Sequence, residues 1–322
     1  MKKALKIIGF VLLGIVAIVA ILLSYVAIAD VPTYKQKEIT VNVEYTPERV
    51  TEGHRIVATM CKNCHLNPET GKLTGMNMLD FPPAFGKAWS QNITSHKTDG
   101  IGGWTDAQLV YFLRTSIKPN GTFAAFMPSI AHYSDEDLAS VVSFLRSDHP
   151  WLEATPGRQP ENEYTFLSKM LARTMIKPMK YPEGSIPQPD TTDPLAFGKY
   201  LVTAKWDCYG CHSANFSSNN TKIPEKSKGF MGGGNTLLDL EGNEIYSANI
   251  TFHETGIAGW TEDDFLTALK TGKTPNGAFR YPMIPFSNLT DTEMKAIYAY
   301  LKTIPKIENV VERNTVAETV SN

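Results

Sequence analysis

Cys61-Lys62-Asn63-Cys64-His65 and Cys208-Tyr209-Gly210-Cys211-His212 are two copies of one pentapeptide, C-x-x-C-H, and they hold all four cysteines of a 322-residue chain. On a helix, residues three and four apart share a face, so the two thiols and the imidazole of each copy project to one side. That side suits a flat macrocycle. The cysteine sulfurs add to two vinyl groups as thioethers and the histidine gives a ring nitrogen to iron, which is the attachment pattern of c-type haem. A lone C-x-x-C also fits a redox pair or half of a zinc site. The histidine that follows in both copies favours haem. Two covalent haem c groups are therefore expected, on Cys61 and Cys64 and on Cys208 and Cys211, with His65 and His212 as iron ligands. No cysteine remains for a disulfide, a lipid anchor or another thiolate ligand.

Working outward, the whole neighbourhood of each motif recurs. Asn92-Ile93-Thr94 returns as Asn249-Ile250-Thr251, His96 as His253, and Gly100-Ile101-Gly102-Gly103-Trp104-Thr105 as Gly256-Ile257-Ala258-Gly259-Trp260-Thr261. From the tryptophans onward the register holds without a gap, pairing Pro119-Asn120-Gly121 with Pro275-Asn276-Gly277, Phe123 with Phe279 and Met127 with Met283. Upstream, Pro47 and Pro194 stand equally far before the first cysteine of their copies, each behind a capping residue, Thr46 or Asp193. Each copy reads as three helices: one started by the proline, one opened by Thr105-x-x-Gln108 or Thr261-x-x-Asp264, and one closed in by Ser134-x-x-Asp137 or Thr290-x-x-Glu293. Leu138, Val141, Val142 and Leu145, and Met294, Ile297, Tyr298 and Leu301, give the closing helices an apolar face. No stretch alternates as a sheet would.

The repeat also narrows the search for a sixth iron ligand. Among eleven methionines, Met127 and Met283 align, each in a loop ahead of a closing helix. A thioether opposite an imidazole suits an iron that accepts and passes on electrons. The plainer reading is that they fill the core, as methionines commonly do. Met76, Met78 and Met231 stand in reserve, and Met294 belongs to a helix core. His96 and His253 align as well and offer a second imidazole instead, or simply bond within their own loop. Trp104 and Trp260 read as packing residues. His54, His132 and His149 have no repeat partner and no assigned role.

The stretch 7–29 carries no charge and spans roughly 35 Å as a helix, against about 30 Å of bilayer hydrocarbon. Lys2, Lys3 and Lys6 before it keep the N-terminus inside and send the rest of the chain outward. A cleaved signal peptide competes with this reading, since Ala27-Ile28-Ala29 resembles a cleavage site, although the apolar run exceeds a usual signal core. The expected class is thus all-α: an N-terminal transmembrane helix followed by two tandem domains of one fold. Its divisions are an anchor over 1–30, a linker over 31–45, a first domain over 46–149, a proline-rich connector over 150–192, a second domain over 193–304 and a polar tail over 305–322. The connector is expected to be extended, with one short helix near 166–176, and to lie across both domains; the tail is expected to be mobile. A formal net charge of −2, spread evenly, gives no basic patch for nucleic acid.

In these motifs the chain resembles the c-type cytochrome subunits of bacterial membrane-bound dehydrogenases, such as those oxidising alcohols or gluconate. The resemblance covers 46–147 and 193–304 and is closer in the second copy, where Phe230-Met231-Gly232-Gly233-Gly234 and Ile245-Tyr246-Ser247-Ala248 also match. It implies the cytochrome c fold, His65 and His212 as proximal ligands, and Met127 and Met283 as distal ones. That group commonly carries three haem motifs, whereas this chain has two. The implied role is electron transfer from a dehydrogenase or quinol-oxidising complex to a terminal oxidase or soluble cytochrome, at the periplasmic side of the bacterial inner membrane. No bond chemistry is expected of the chain itself. A dihaem peroxidase is the alternative and needs one iron with an open position, which two matched methionine loops argue against. A scaffold or sensor would need a further domain, and none is visible.

Overall fold

Cys61 ends one helix and Cys208 begins another, and the route of the chain into each cysteine sets the architecture. A computed structural model describes residues 2–311; the expectation for 312–322 lies outside the described residues. In chain order the helices are α1 (Lys2–Ile28), α2 (Pro47–Met60), α3 (Lys62–His65), α4 (Asp106–Thr115), α5 (Asp135–Leu145), α6 (Phe166–Thr174), α7 (Pro194–Tyr200), α8 (Cys208–His212), α9 (Glu262–Thr271) and α10 (Asp291–Leu301). The capping residues act as their positions require. Thr46 and Asp193 accept backbone N–H groups of α2 and α7, Ser134 caps α5, and Thr105, Thr261 and Thr290 form reciprocal capping boxes with Gln108, Asp264 and Glu293. The described residues also form three antiparallel ribbons that the sequence did not announce: β1 (Gly86–Lys87) with β2 (Glu163–Tyr164), β3 (Thr236–Leu238) with β4 (Glu244–Tyr246), and β5 (Lys273–Thr274) with β6 (Gly277–Ala278). At two or three residues a strand is too short for alternation to show.

The opening and closing helices of each copy cross, α2 on α5 and α7 on α10. A glycine sits at each crossing. A Cβ on Gly53 would stand 1.9 Å from the Ser140 carbonyl oxygen, and one on Gly198 would stand 2.1 Å from that of Ala296. Ser140 and Ala296 are repeat partners, but Gly53 and Gly198 are not at equal distance from their cysteines. The second copy spends two more residues between crossing and motif. It absorbs them in a π-helical turn, Leu201–Lys205, and in Asp207, which takes the left-handed conformation at φ 49°. The equal proline-to-cysteine spacing read from the sequence therefore conceals an offset in the helix that does the packing. Buried residues of both copies, Ile56, Val57, Val141 and Phe144 with Phe197, Leu201, Ile297 and Leu301, join one continuous core.

α1 has no buried residue and is long and apolar enough to cross a membrane. The connector contains the expected short helix, α6, but among the described residues its hydrogen bonds and ring contacts run to the first copy and to the end of α1 rather than across both copies. Asn92 donates to the Thr155 and Gly157 carbonyls, Asn162 accepts from the Trp89 N–H, β2 pairs with β1, and Tyr181 stacks on Tyr111 at 5.4 Å. The start of the tail departs from expectation. Asn249 donates to the Ile307 carbonyl at 2.8 Å, and Asn309 donates to Gly232 at 2.9 Å, so 305–311 clasps the second copy as 155–157 clasps the first. Polarity misled here because the segment binds through its backbone and the Asn309 amide.

Candidate functional site

His212 donates from Nδ1 to the Ala248 carbonyl, and His65 donates from Nδ1 to the Gln91 carbonyl, each at 2.8 Å. A carbonyl oxygen only accepts, so both rings carry their proton on Nδ1 and keep a lone pair on Nε2. Both rings are buried, and burial pushes both imidazoles down from their ordinary value, favouring the neutral, ligating form. Gln91 and Ala248 immediately precede the repeated Asn-Ile-Thr. In each copy the asparagine side chain accepts from the threonine N–H and hydroxyl, which pins the loop that presents the carbonyl. The acceptor is main chain, so its side chain was free to differ; only its place before the repeated tripeptide could have revealed it.

A second shared device escaped the sequence comparison. Gly75 donates to the His65 carbonyl at 2.9 Å and Gly233 to the His212 carbonyl at 2.8 Å. Both have positive φ, 78° and 69°, and a Cβ on either would strike the segment that carries the imidazole acceptor: Ser90 O at 2.0 Å, the Ala248 carbonyl carbon at 2.4 Å. The second copy inserts a longer loop after its histidine, so the two glycines fall at unequal spacing and did not align. The same pairing places Met231 opposite Leu73, since Ile250 and Ile93 donate to their carbonyls. Both are fully buried, and Met231 is a core residue.

Cys208, Cys211, His212 and Met283 border one cavity of about 600 Å³. Leu237, Ile250, Trp260, Phe265, Leu269 and Phe286 help to make its walls apolar, and the volume falls in the range of roughly 300–1,000 Å³ usual for cofactor sites. Thr59, Met60, Asn63 and Cys64 complete the wall, so the first motif abuts the second site. In the first copy Met127 packs against the core that Met60, Cys61 and Leu66 border. Its carbonyl accepts from Ser116 Oγ at 3.1 Å. Both methionine loops are strapped alike. Ile130 donates to Leu113 O and Phe286 to Leu269 O, while Arg114 pairs with Asp135 at 2.7 Å and Lys270 with Asp291 at 2.6 Å. Those ion pairs close each loop by tying the helix before it to the first turn of the helix after it.

His96 and His253 turn into their own loops, where Nδ1 accepts from the N–H of Asp99 and of Thr255. His253 does not border the cavity. His54, His149 and Trp151 form an aromatic cluster with Phe144, at centroid distances of 4.9–6.4 Å. Burial pushes the Cys61 and Cys208 thiols up to about 12 and Cys211 to about 11, which is the reverse of an activated redox thiolate. Among the described residues no three His, Cys, Asp or Glu side chains are grouped to hold a metal ion. The donor set therefore fits a haem attached through both thiols better than it fits zinc or dithiol chemistry.

Comparison with known proteins agrees with that chemistry. Residues 48–145 match the family model described as cytochrome C oxidase, cbb3-type, subunit III. Three similar proteins are the cytochrome c subunit of a quinone alcohol dehydrogenase from Gluconacetobacter polyoxogenes (27% identical, over 77% of this chain and 54% of that protein), the fructose dehydrogenase cytochrome subunit of Gluconobacter japonicus (28%, 80% and 52%), and a diheme cytochrome c-type protein of Cereibacter sphaeroides (29%, 80% and 86%). The chain spans about half the length of the two dehydrogenase subunits. It carries a cytochrome c domain and is similar, over most of its length, to cytochrome c subunits of dehydrogenases.

Proposed function

We propose that this chain is a membrane-anchored electron carrier with two haem c groups, each in its own domain, the first over 46–149 and the second over 193–304. Cys61, Cys64, Cys208 and Cys211 hold the macrocycles, His65 and His212 supply Nε2 to the irons, and Met127 and Met283 supply the opposite thioethers. Bound haem c provides a one-electron Fe(III)/Fe(II) couple. What the protein adds is fixed orientation and exclusion of water. Gln91 and Ala248 hold the imidazoles in one tautomer, the strapped loops hold the methionines, and the apolar wall keeps solvent from the second site. Neither iron is left an open position for a substrate, so the chain performs no bond chemistry. α1 crosses the bacterial inner membrane once and keeps the haem domains on the periplasmic side. Resemblance to dehydrogenase subunits supports a membrane-bound dehydrogenase as donor; a quinol-oxidising complex in its place, and a terminal oxidase or soluble cytochrome as acceptor, complete the proposed route.

The observation that carries this reading is the single cavity bordered by Cys208, Cys211, His212 and Met283, with Cys64 of the other motif in its wall. Adjacent sites suit passage of electrons from one to the other. The test is the optical and EPR spectrum of the holoprotein beside Met127→Ala and Met283→Ala. Each substitution should turn one low-spin haem high-spin and halve the methionine–iron charge-transfer band. A wild type that already holds a high-spin haem able to bind peroxide would replace this reading with an enzymatic one.

A further inference from the structure

α6 turns its small residues toward the protein and its large apolar ones away. Ser168 and Ala172 are buried, with Ser168 Oγ donating to the Phe85 carbonyl at 2.5 Å, while Phe166, Leu167, Met175 and Ile176 are 37–64% exposed. Helical spacing puts Phe166, Leu167 and Met170 on the side opposite Ser168 and Ala172. A soluble surface normally shows the reverse, and a contiguous exposed apolar face marks an interaction site.

The neighbour of α6 identifies what it meets. Lys169 Nζ donates to the Ala27 carbonyl at 3.3 Å, Arg173 donates to the Asp30 carbonyl, and its guanidinium lies 5.4 Å from the Tyr25 ring. These are the last turn of α1 and the residues just beyond it, which on the anchor reading stand at the outer surface of the bilayer. An aromatic and cations at that level are usual for the interface. Lys169, Arg173, Lys177 and Lys180 place four cations along one short segment.

We propose that 166–180 is an interfacial helix and basic extension that lies on the outer leaflet, with Phe166, Leu167, Met175 and Ile176 among the acyl-chain ends and Lys177 and Lys180 on anionic headgroups. The proposal rests on α1 spanning the membrane. Because 31–45 is itself fastened to the first copy, with Tyr34 donating to the Gly121 carbonyl and Gln36 to that of Ile117, α1 and this face together hold the body that carries both candidate sites at a fixed tilt to the membrane.

Spin labels test it in the full-length holoprotein, placed singly by Leu167→Cys, Ile176→Cys and Val16→Cys, because the haem cysteines are already in thioethers. The protein is reconstituted in nanodiscs of phosphatidylglycerol or of phosphatidylcholine, and each label is scored by its collisions with oxygen against those with a water-soluble nickel chelate. Labels at 167 and 176 are expected to favour oxygen, less strongly than the label at 16, and the label at 176 should shift deeper in phosphatidylglycerol. Lys177→Glu with Lys180→Glu should remove that lipid dependence. Labels at 167 and 176 that favour nickel while 16 favours oxygen would overturn the proposal, leave the anchor intact and give this face to a protein partner. Nickel preference at all three would overturn the anchor and the proposal with it. Equal depth in both lipids would overturn the role of the cations.

Discussion

Lys205 Nζ lies 2.9 Å from Asp137 Oδ1, both side chains 2% exposed, and the pair joins the two copies of the repeat. Lys205 belongs to the π-helical turn that absorbs the offset of the second copy, and Asp137 to the first turn of α5 in the first. Glu52 at 2.7 Å and Glu293 at 3.6 Å also face the ammonium, and Arg55 bridges both of those carboxylates. Tyr200 donates to the other Asp137 oxygen at 2.6 Å, and Tyr133 donates to the Lys205 carbonyl at 2.6 Å. Desolvating such a cluster is costly, so its worth lies less in net stability than in the single register of the copies that satisfies every member. That register is what brings Cys64 to the wall of the second cavity.

Lys205→Met keeps the length and apolar stem but leaves Asp137 buried without its cation. Breaking a buried pair this way costs about 3–5 kcal/mol. The expected outcome is an unfolding free energy from denaturant titration lowered by that amount, with the proposed haems still low-spin in the native state. A loss below about 1 kcal/mol would show the cluster to be wetter than its burial implies.

The same variant should show a pH signature. Burial works against the ionised Glu52, but bonds from Arg55 and the charge of Lys205 outweigh it and hold the carboxyl below its ordinary 4.5. Its contribution is complete above that value and is lost as pH falls through the lower folded one. Burial likewise works against charged Lys205, and Asp137, Glu52 and Glu293 outweigh it, raising the ammonium above 10.5. That contribution is complete below 10.5 and is lost as pH rises through the higher folded value. The stability gap between wild type and Lys205→Met should therefore be widest at intermediate pH and narrow toward both ends, read from denaturant titrations across the range.

Gly233→Ala should act on the proposed second haem site from outside it. The new Cβ is forced onto a positive φ and into the Ala248 carbonyl, the acceptor of His212 Nδ1. Ala at such a φ costs upward of about 1 kcal/mol. Loosening the Nδ1 bond makes the imidazole less basic, which favours ferrous iron, so one reduction potential of the pair should rise and the other stay. Gly242→Ala, at a similar φ of 83° with open space around it, is the control and should leave both potentials unchanged. Potentiometric titration of the two variants decides the matter.

The parts legible in the sequence are those where a side chain's own chemistry is the signal. Cysteine and histidine announced the candidate attachment sites, Thr105, Thr261 and Thr290 announced helix starts, and the aligned Met127 and Met283 announced two loops of like construction. Illegible were the parts carried by main chain or by relative placement. The acceptors at Gln91 and Ala248 have no side-chain signature, Gly75 and Gly233 were separated by an insertion, and Ile307 and Asn309 looked like a free tail because they bind through backbone groups and one amide.

Sequence alone determined that this chain repeats one unit, with a C-x-x-C-H motif and an aligned methionine in each copy, because covalent and coordination chemistry admit few residue types and the helical spacing of C-x-x-C-H is local. Only the tertiary structure decided how the copies meet. Lys205 finds Asp137, and Cys64 reaches the second cavity, through contacts between residues far apart in the chain, where burial and charge pairing act on positions that no local pattern connects.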